Sequence, residues 1–242
     1  MRVAVLSDIH GNLPALRAVL SDLEQEDVRS VVVAGDTISG PWPVEVFDVV
    51  AALDAGIVRG NADREVLQRS TRYGPLAVWC AGRLGDARLG VAASWPLTLE
   101  LDVDGLGRVL VCHSTPSSDD PIYTRVTPDA DVLELLGDVD ADVVVSGHTH
   151  MQYDRTLAGG LRLVNPGSVG MPYGRAGAHW ALLADGAVTM RRTSYDIEAA
   201  CAAIQEMSDY PDVAEWADYF LHSRASDADA LGAFAPRDGR AP

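Results

Sequence analysis

Five short apolar runs in this chain stop abruptly at polar turns, and that repeated coincidence constrains the fold more than any other feature. Val3-Ala4-Val5-Leu6 gives way to Ser7-Asp8-Ile9-His10-Gly11-Asn12, and the run from Ser30 to Ala34 gives way to Gly35-Asp36-Thr37. Ile57-Val58-Arg59 runs into Gly60-Asn61-Ala62-Asp63, the run from Arg108 to Cys112 into His113, and Asp142 to Ser146 into Gly147-His148-Thr149-His150. Valine-rich runs of this length bounded by glycine are strands buried on both faces, as in a parallel sheet. In open α/β sheets ligands collect at the carboxyl ends of strands, so turns far apart in sequence can converge in space.

The 242 residues suffice for a sizeable core, and no Ser/Gly linker or charge block divides them. We expect a main domain over 1–208 and an extension over 209–242, whose Val213, Trp216 and Phe220 form an amphipathic piece docked on the parent domain. Residues after about Ala225 are expected to be mobile. The formal net charge of −16 disfavours nonspecific binding to a nucleic acid duplex or an anionic membrane. It permits an anionic substrate where divalent cations reverse the local field. Cys80, Cys112 and Cys201 lack CxxC spacing and read as buried thiols. Without a signal core or a membrane-length apolar run, the expected location is cytoplasmic.

Periodicity predicts helices over 13–25, 44–53, 128–137 and 197–207, and helices broken near Gly74-Pro75 and Gly82 to Gly85 across the ambiguous stretch 64–93. Strands are expected at 97–102, 108–112, 142–146, 161–164, 180–184 and 187–191, the last pair a hairpin about Asp185-Gly186.

The polar turns together offer Asp8, His10, Asp36, Asn61, His113, His148 and His150. This is an oxygen and imidazole donor set without thiolate, suited to Mn²⁺, Fe or Zn²⁺ and large enough for two ions, with Asp36 chosen as the bridging carboxylate. Taken singly, each Asp or Asn is an ordinary turn former. Four of the six histidines sit at strand ends, and gathering such groups without a cation would leave buried carboxylates uncompensated.

Asp8-Ile9-His10-Gly11-Asn12, Gly35-Asp36, Gly60-Asn61-x-Asp63, His113 and Gly147-His148-Thr149-His150 resemble, in order, the five motifs of the calcineurin-like metallophosphoesterases. Asn165-Pro166-Gly167-Ser168-Val169 further resembles their small bacterial and archaeal phosphodiesterase-like branch. The resemblance covers about residues 1–183. It implies an α/β fold, counted as α+β in some schemes: a four-layer αββα sandwich of two packed mixed sheets. It also implies two divalent ions, Mn²⁺ first and Fe, Zn²⁺ or Ni²⁺ as options. One ion would take Asp8, His10 and His150, the other Asn61, His113 and His148, with Asp36 between them. The activity implied is hydrolysis of a small or nucleotide-like phosphodiester by a hydroxide that the ions activate, with Asp36, Asn61 and His148 in catalytic roles. Phosphomonoesters, dinucleoside polyphosphates and a noncatalytic scaffold are the alternatives, and homo-oligomerisation is left open.

Asn61, Arg125 and Ser168 are candidates for holding substrate, with Tyr123 and Arg155 behind them; Asp63 and Asp142 are candidate partners for the ligand imidazoles. Two positions depart from the family pattern. Many members carry a leaving-group acid where this chain has Ala62, and the branch commonly has glycine where Ser114 stands. A missing general acid costs about 10²–10⁴ in rate for a poor leaving group, so easily displaced groups are favoured.

Overall fold

The computed structural model describes residues 2–28, 30–207, 209–234 and 236–238. From the N-terminus the elements are β1 (Val3–Leu6), α1 (Leu13–Leu23), β2 (Ser30–Val33), α2 (Pro43–Ala52), β3 (Gly56–Ile57), α3 (Asn61–Leu67) and α4 (Leu76–Ala92). There follow β4 (Thr98–Val103), β5 (Gly107–Cys112), α5 (Asp129–Leu136), β6 (Val143–Ser146), β7 (Gln152–Thr156) and β8 (Arg162–Pro166). The chain continues with β9 (Ala178–Ala184), β10 (Ala187–Thr193), α6 (Ile197–Gln205), a π-helical turn (Glu215–Phe220) and α7 (Asp227–Phe234).

The ten strands form two mixed sheets, ordered β10-β9-β1-β2-β3 and β4-β5-β6-β8-β7. Strand alternation explains how they stack. Val3 and Val5 of β1 meet Val109 and Val111 of β5 and Val143 and Val145 of β6 in a core between the sheets. Ala4 and Leu6 face the other way, onto Leu16 and Val19 of α1 and Val46 and Val50 of α2. On the far side Leu110 and Val144 pack on Val132 and Leu136 of α5. The result is the expected αββα sandwich. All four residues of β1 are inaccessible to solvent, and burying a valine or leucine side chain in this way contributes about 1.5–3 kcal/mol.

β1 pairs in parallel with β2, and β6 in parallel with both β5 and β8, so four ligand-bearing strand ends open on one edge of the sandwich. Asn12 starts α1 by accepting the Ala15 N–H (3.1 Å), with Pro14 in the first turn. The ambiguous stretch resolves as two helices, α3 and α4, and α4 breaks at Gly85, whose φ of 71° lies in the left-handed region.

Three differences from expectation have physical reasons. β7 is not apparent from periodicity because Gln152-Tyr153-Asp154-Arg155-Thr156 is polar; it is an edge strand held by antiparallel pairing to β8. Trp216 sits in a π-helical turn rather than a regular helix, buried with Ala200 and Ile204 of α6 against Trp42 and Trp79 of the main body. Beyond Ala225, where the sequence shows no apolar period, α7 forms, and Arg125 reaches its Asp227 (2.8 Å).

Candidate metal centre

Backbone hydrogen bonds lock the polar turns to one another. The Asp8 N–H donates to Gly35 O (3.0 Å), His10 N–H to Asp36 O (2.8 Å) and Gly11 N–H to Thr37 O (3.0 Å). Gly147 N–H reaches His113 O (2.9 Å), while Val169 N–H and Gly170 N–H reach Ser7 O (2.9 Å) and Asp8 O (3.0 Å). Asp8, His10, Asp36, His148 and His150 all hold positive φ, between 46° and 68°. Non-glycine residues occupy that region at a cost, and such strain persists where the surroundings over-determine it. Glycine is required at two of the junctions, since a Cβ on Gly35 would overlap the His113 ring and one on Gly147 would overlap Ser7 and Asp8.

Side-chain donors converge inside this frame. Those of Asp8, His10 and His150 lie within 4.8 Å of one another, as do those of Asp8, Asp36 and His113. Asp8 Oδ1 stands 3.2 Å from His150 Nε2, and Asp36 Oδ2 stands 3.6 Å from His10 Nε2 and 3.4 Å from His113 Nε2. His113 Nε2 also lies 2.9 Å from Asn61 Oδ1, and the His113 and His148 rings meet edge to face with centroids 5.0 Å apart.

The imidazoles are oriented by main-chain carbonyls, not by Asp63 or Asp142. His10 Nδ1 faces Ser39 O (3.3 Å), His113 Nδ1 faces Ala34 O (2.8 Å) and His150 Nδ1 faces Met171 O (2.8 Å). For His148 it is Nε2 that faces a carbonyl, that of Asp120 (3.2 Å). A carbonyl only accepts, so each of these nitrogens carries the hydrogen, and in the neutral ring that binds a metal the opposite nitrogen presents a lone pair. His10 Nε2 and His150 Nε2 then confront each other at 3.2 Å beside the Asp8 carboxylate. Two lone pairs so placed repel unless a cation or a proton lies between them. The residues therefore fit the metal ions expected here.

Electrostatics agree. Burial pushes the Asp8 and Asp36 carboxyls up, but the imidazoles of His150 and His113 respectively outweigh it and hold both below the ordinary range. Burial lowers His113 too, yet the Asp36 carboxylate raises it to about 10, whereas burial and the charge of His113 push His148 down to about 4. Without metal the two ionised carboxylates are thus balanced by imidazole protons, which divalent cations would displace on binding.

Several side chains singled out from the sequence serve as ties instead. Asp63 accepts the N–H groups of Thr37 (2.8 Å), Ile38 (3.0 Å) and Gly60 (3.0 Å), stitching the Asp36 loop to the Asn61 turn. Asp142 accepts the Arg108 N–H (2.8 Å) at the start of β6, the end away from the cluster. Ser168 is not free for substrate, because its hydroxyl donates to Asp8 O (2.7 Å) and accepts from Met171 N–H (2.7 Å). Arg125 is paired with Asp227, Arg155 donates to the carbonyls of Arg125 (3.0 Å) and Thr127 (2.9 Å), and the buried Tyr123 donates to Ser114 O (2.5 Å). Asn165 donates to Gly147 O (2.6 Å) and Thr149 Oγ1 (3.2 Å), holding the His148 turn.

A cleft of about 220 Å³ opens beside the cluster, lined by His10, Asn61, Ala62, Met171, Trp216 and Phe220 among others. Glu65 and Asp212 also line it, and neither was singled out from the sequence. Glu65 was accessible to that reading, since it follows Asn61 by one helical turn; Asp212 was not, because only the folded extension brings it near.

Comparison with known proteins gives a consistent picture. Residues 1–185 match the calcineurin-like phosphoesterase superfamily domain. An uncharacterized protein of Methanocaldococcus jannaschii is 30% identical over 226 residues, covering 82% of this chain and 89% of that protein. The phosphodiesterase YfcE of Escherichia coli is 26% identical over 194 residues, covering 76% and 87%. Among solved structures, a metallophosphoesterase from Sphaerobacter thermophilus has a TM-score of 0.72 at 25% identity, covering 90% of this chain and 98% of the other.

Proposed function

The chain belongs to the calcineurin-like phosphoesterase superfamily and is a phosphoric ester hydrolase, and from that premise we propose that it is a two-metal phosphodiesterase acting on a small or nucleotide-like ester. The observation that carries this reading is the pair of opposed imidazole nitrogens of His10 and His150, with the Asp8 carboxylate beside them. In this reading Asp8, His10 and His150 hold one ion, Asn61, His113 and His148 hold the other, and Asp36 lies between them, within 3.6 Å of His10 and 3.4 Å of His113. Divalent ions bound there would acidify an attacking water and neutralise the phosphoryl oxygens.

The chain's own groups position and exclude. The carbonyl-anchored imidazoles keep their lone pairs aimed inward without reorganisation. The Ala62 N–H fixes Asp36 through its Oδ1 (2.7 Å), leaving Oδ2 toward the imidazoles. Because Ala62 presents only a methyl group to the cleft, it offers no proton to a departing oxygen, which favours esters that leave readily.

Bis-p-nitrophenyl phosphate with Mn²⁺ is the direct assay. Turnover is expected, and Asp36→Asn should lower kcat/KM by about 10³-fold or more with the thermal midpoint of the metal-free protein retained. Equal turnover by the variant would remove Asp36 from the chemistry.

A further inference from the structure

Around the cleft, negative charge is left over. Arg64 donates to both oxygens of Asp119 (3.1 Å each), to Asp120 (2.6 Å) and to Glu65 (3.3 Å), so one guanidinium serves three carboxylates. Glu65, 8% exposed, sits at the cleft wall. The same cleft is lined by half-buried Asp212, whose carboxylate has no ion-pair partner among the described residues; burial and the charge of Glu215 push it above the ordinary range. The chain has no lysine, and no arginine among the described residues lines the cleft. Trp216 and Phe220 also line the cleft and meet edge to face at 64° with centroids 5.6 Å apart, half-buried Phe220 the more accessible ring and Trp216, 1% exposed, packed behind it.

A polyanionic substrate entering here would meet Asp212 and a Glu65 that shares its one guanidinium with Asp119 and Asp120. An ester group bearing a positive nitrogen would meet opposite charge and aromatic rings in a confined space, which together attract ammonium ions. Resting on the phosphodiesterase reading above, we infer that the cleft formed by Glu65, Asp212, Trp216 and Phe220 is a subsite for a cationic ester group, so that the substrate is a zwitterionic phosphodiester of an amino or quaternary-ammonium alcohol. The extension thereby supplies three of the four residues named for the specificity pocket.

Two chromogenic diesters that differ in one atom test this: p-nitrophenyl phosphocholine, and p-nitrophenyl 3,3-dimethylbutyl phosphate, in which carbon replaces the cationic nitrogen. The metal-loaded full chain should favour the cation by about tenfold in kcat/KM, mainly through KM. Asp212→Asn combined with Glu65→Gln should bring that ratio toward one, and circular dichroism should show the fold intact. A wild-type ratio of one or less, with bis-p-nitrophenyl phosphate still cleaved, overturns the subsite and leaves the phosphodiesterase reading standing. If no ester is cleaved, the reading itself falls; calorimetric titration with phosphocholine and 3,3-dimethylbutyl phosphate then decides the subsite, and equal affinities overturn it.

Discussion

Asp63 illustrates how much a single buried side chain contributes to this site without touching a reacting atom. Its two oxygens satisfy three backbone N–H groups from two different turns. Burial and the charge of Asp36 raise it to about 7, so it is retained despite an unfavourable environment. Replacing it with alanine would strand those donors, each costing about 1–3 kcal/mol when left unpaired. We expect Asp63→Ala to destabilise the fold by about 3 kcal/mol or more in denaturant titration, and a loss below 1 kcal/mol would show that the two turns hold together without it. The sequence marked Asp63 as important because it stands in the Gly60-Asn61-x-Asp63 motif, yet it could not reveal which groups the carboxylate meets. Ser168 and Arg125 show the same limit. A serine in a glycine turn and an arginine in a proline-rich loop look alike whether they bind phosphate or backbone, and only long-range folding decides.

At the level of elements, the strand ends were the legible part. Valine-rich runs and abrupt polar turns identified β1, β2, β5 and β6, and with them every expected ligand but Asn61, which follows the short β3, because burial on both faces leaves a strong compositional mark. β7 left no such mark: as an edge strand it is polar and defined by its partner. The π-helical turn was equally hidden, since Trp216 and Phe220 announce burial without specifying the winding that buries them. Contact between the β6 and β1 ends depends on Gly147, which lies against Ser7 and Asp8. Gly147→Ala should push these turns apart and weaken Mn²⁺ binding about 10–100-fold in a calorimetric titration, and unchanged affinity would mean that the junction yields more easily than its packing suggests.

Across the whole molecule, the candidate metal centre draws on both sheets, because β1 and β2 lie in one and β5 and β6 in the other. Ions held there clamp the two layers together, and any ligand that binds only the folded state adds stability in proportion to the logarithm of its excess over Kd. At about a thousandfold excess this is about 4 kcal/mol, or about 10 °C for a chain of this size. Chelation should therefore lower the melting temperature of metal-loaded protein by about that amount, and re-addition of Mn²⁺ should restore it. No change on chelation would separate the cluster from metal binding altogether. Among the described residues, no helix is long and apolar enough to cross a membrane.

The anchoring of every candidate ligand imidazole to a main-chain carbonyl bears on how such a site changes over time. The acceptors belong to Ala34, Ser39, Asp120 and Met171, and the oxygen each one offers is the same whatever side chain it carries. Ligand orientation is thus written in the path of the chain and not in the identity of these four residues. Their side chains can drift to reshape the surrounding surface and the cleft, trying out new substrates, while the chemistry at the centre stays fixed.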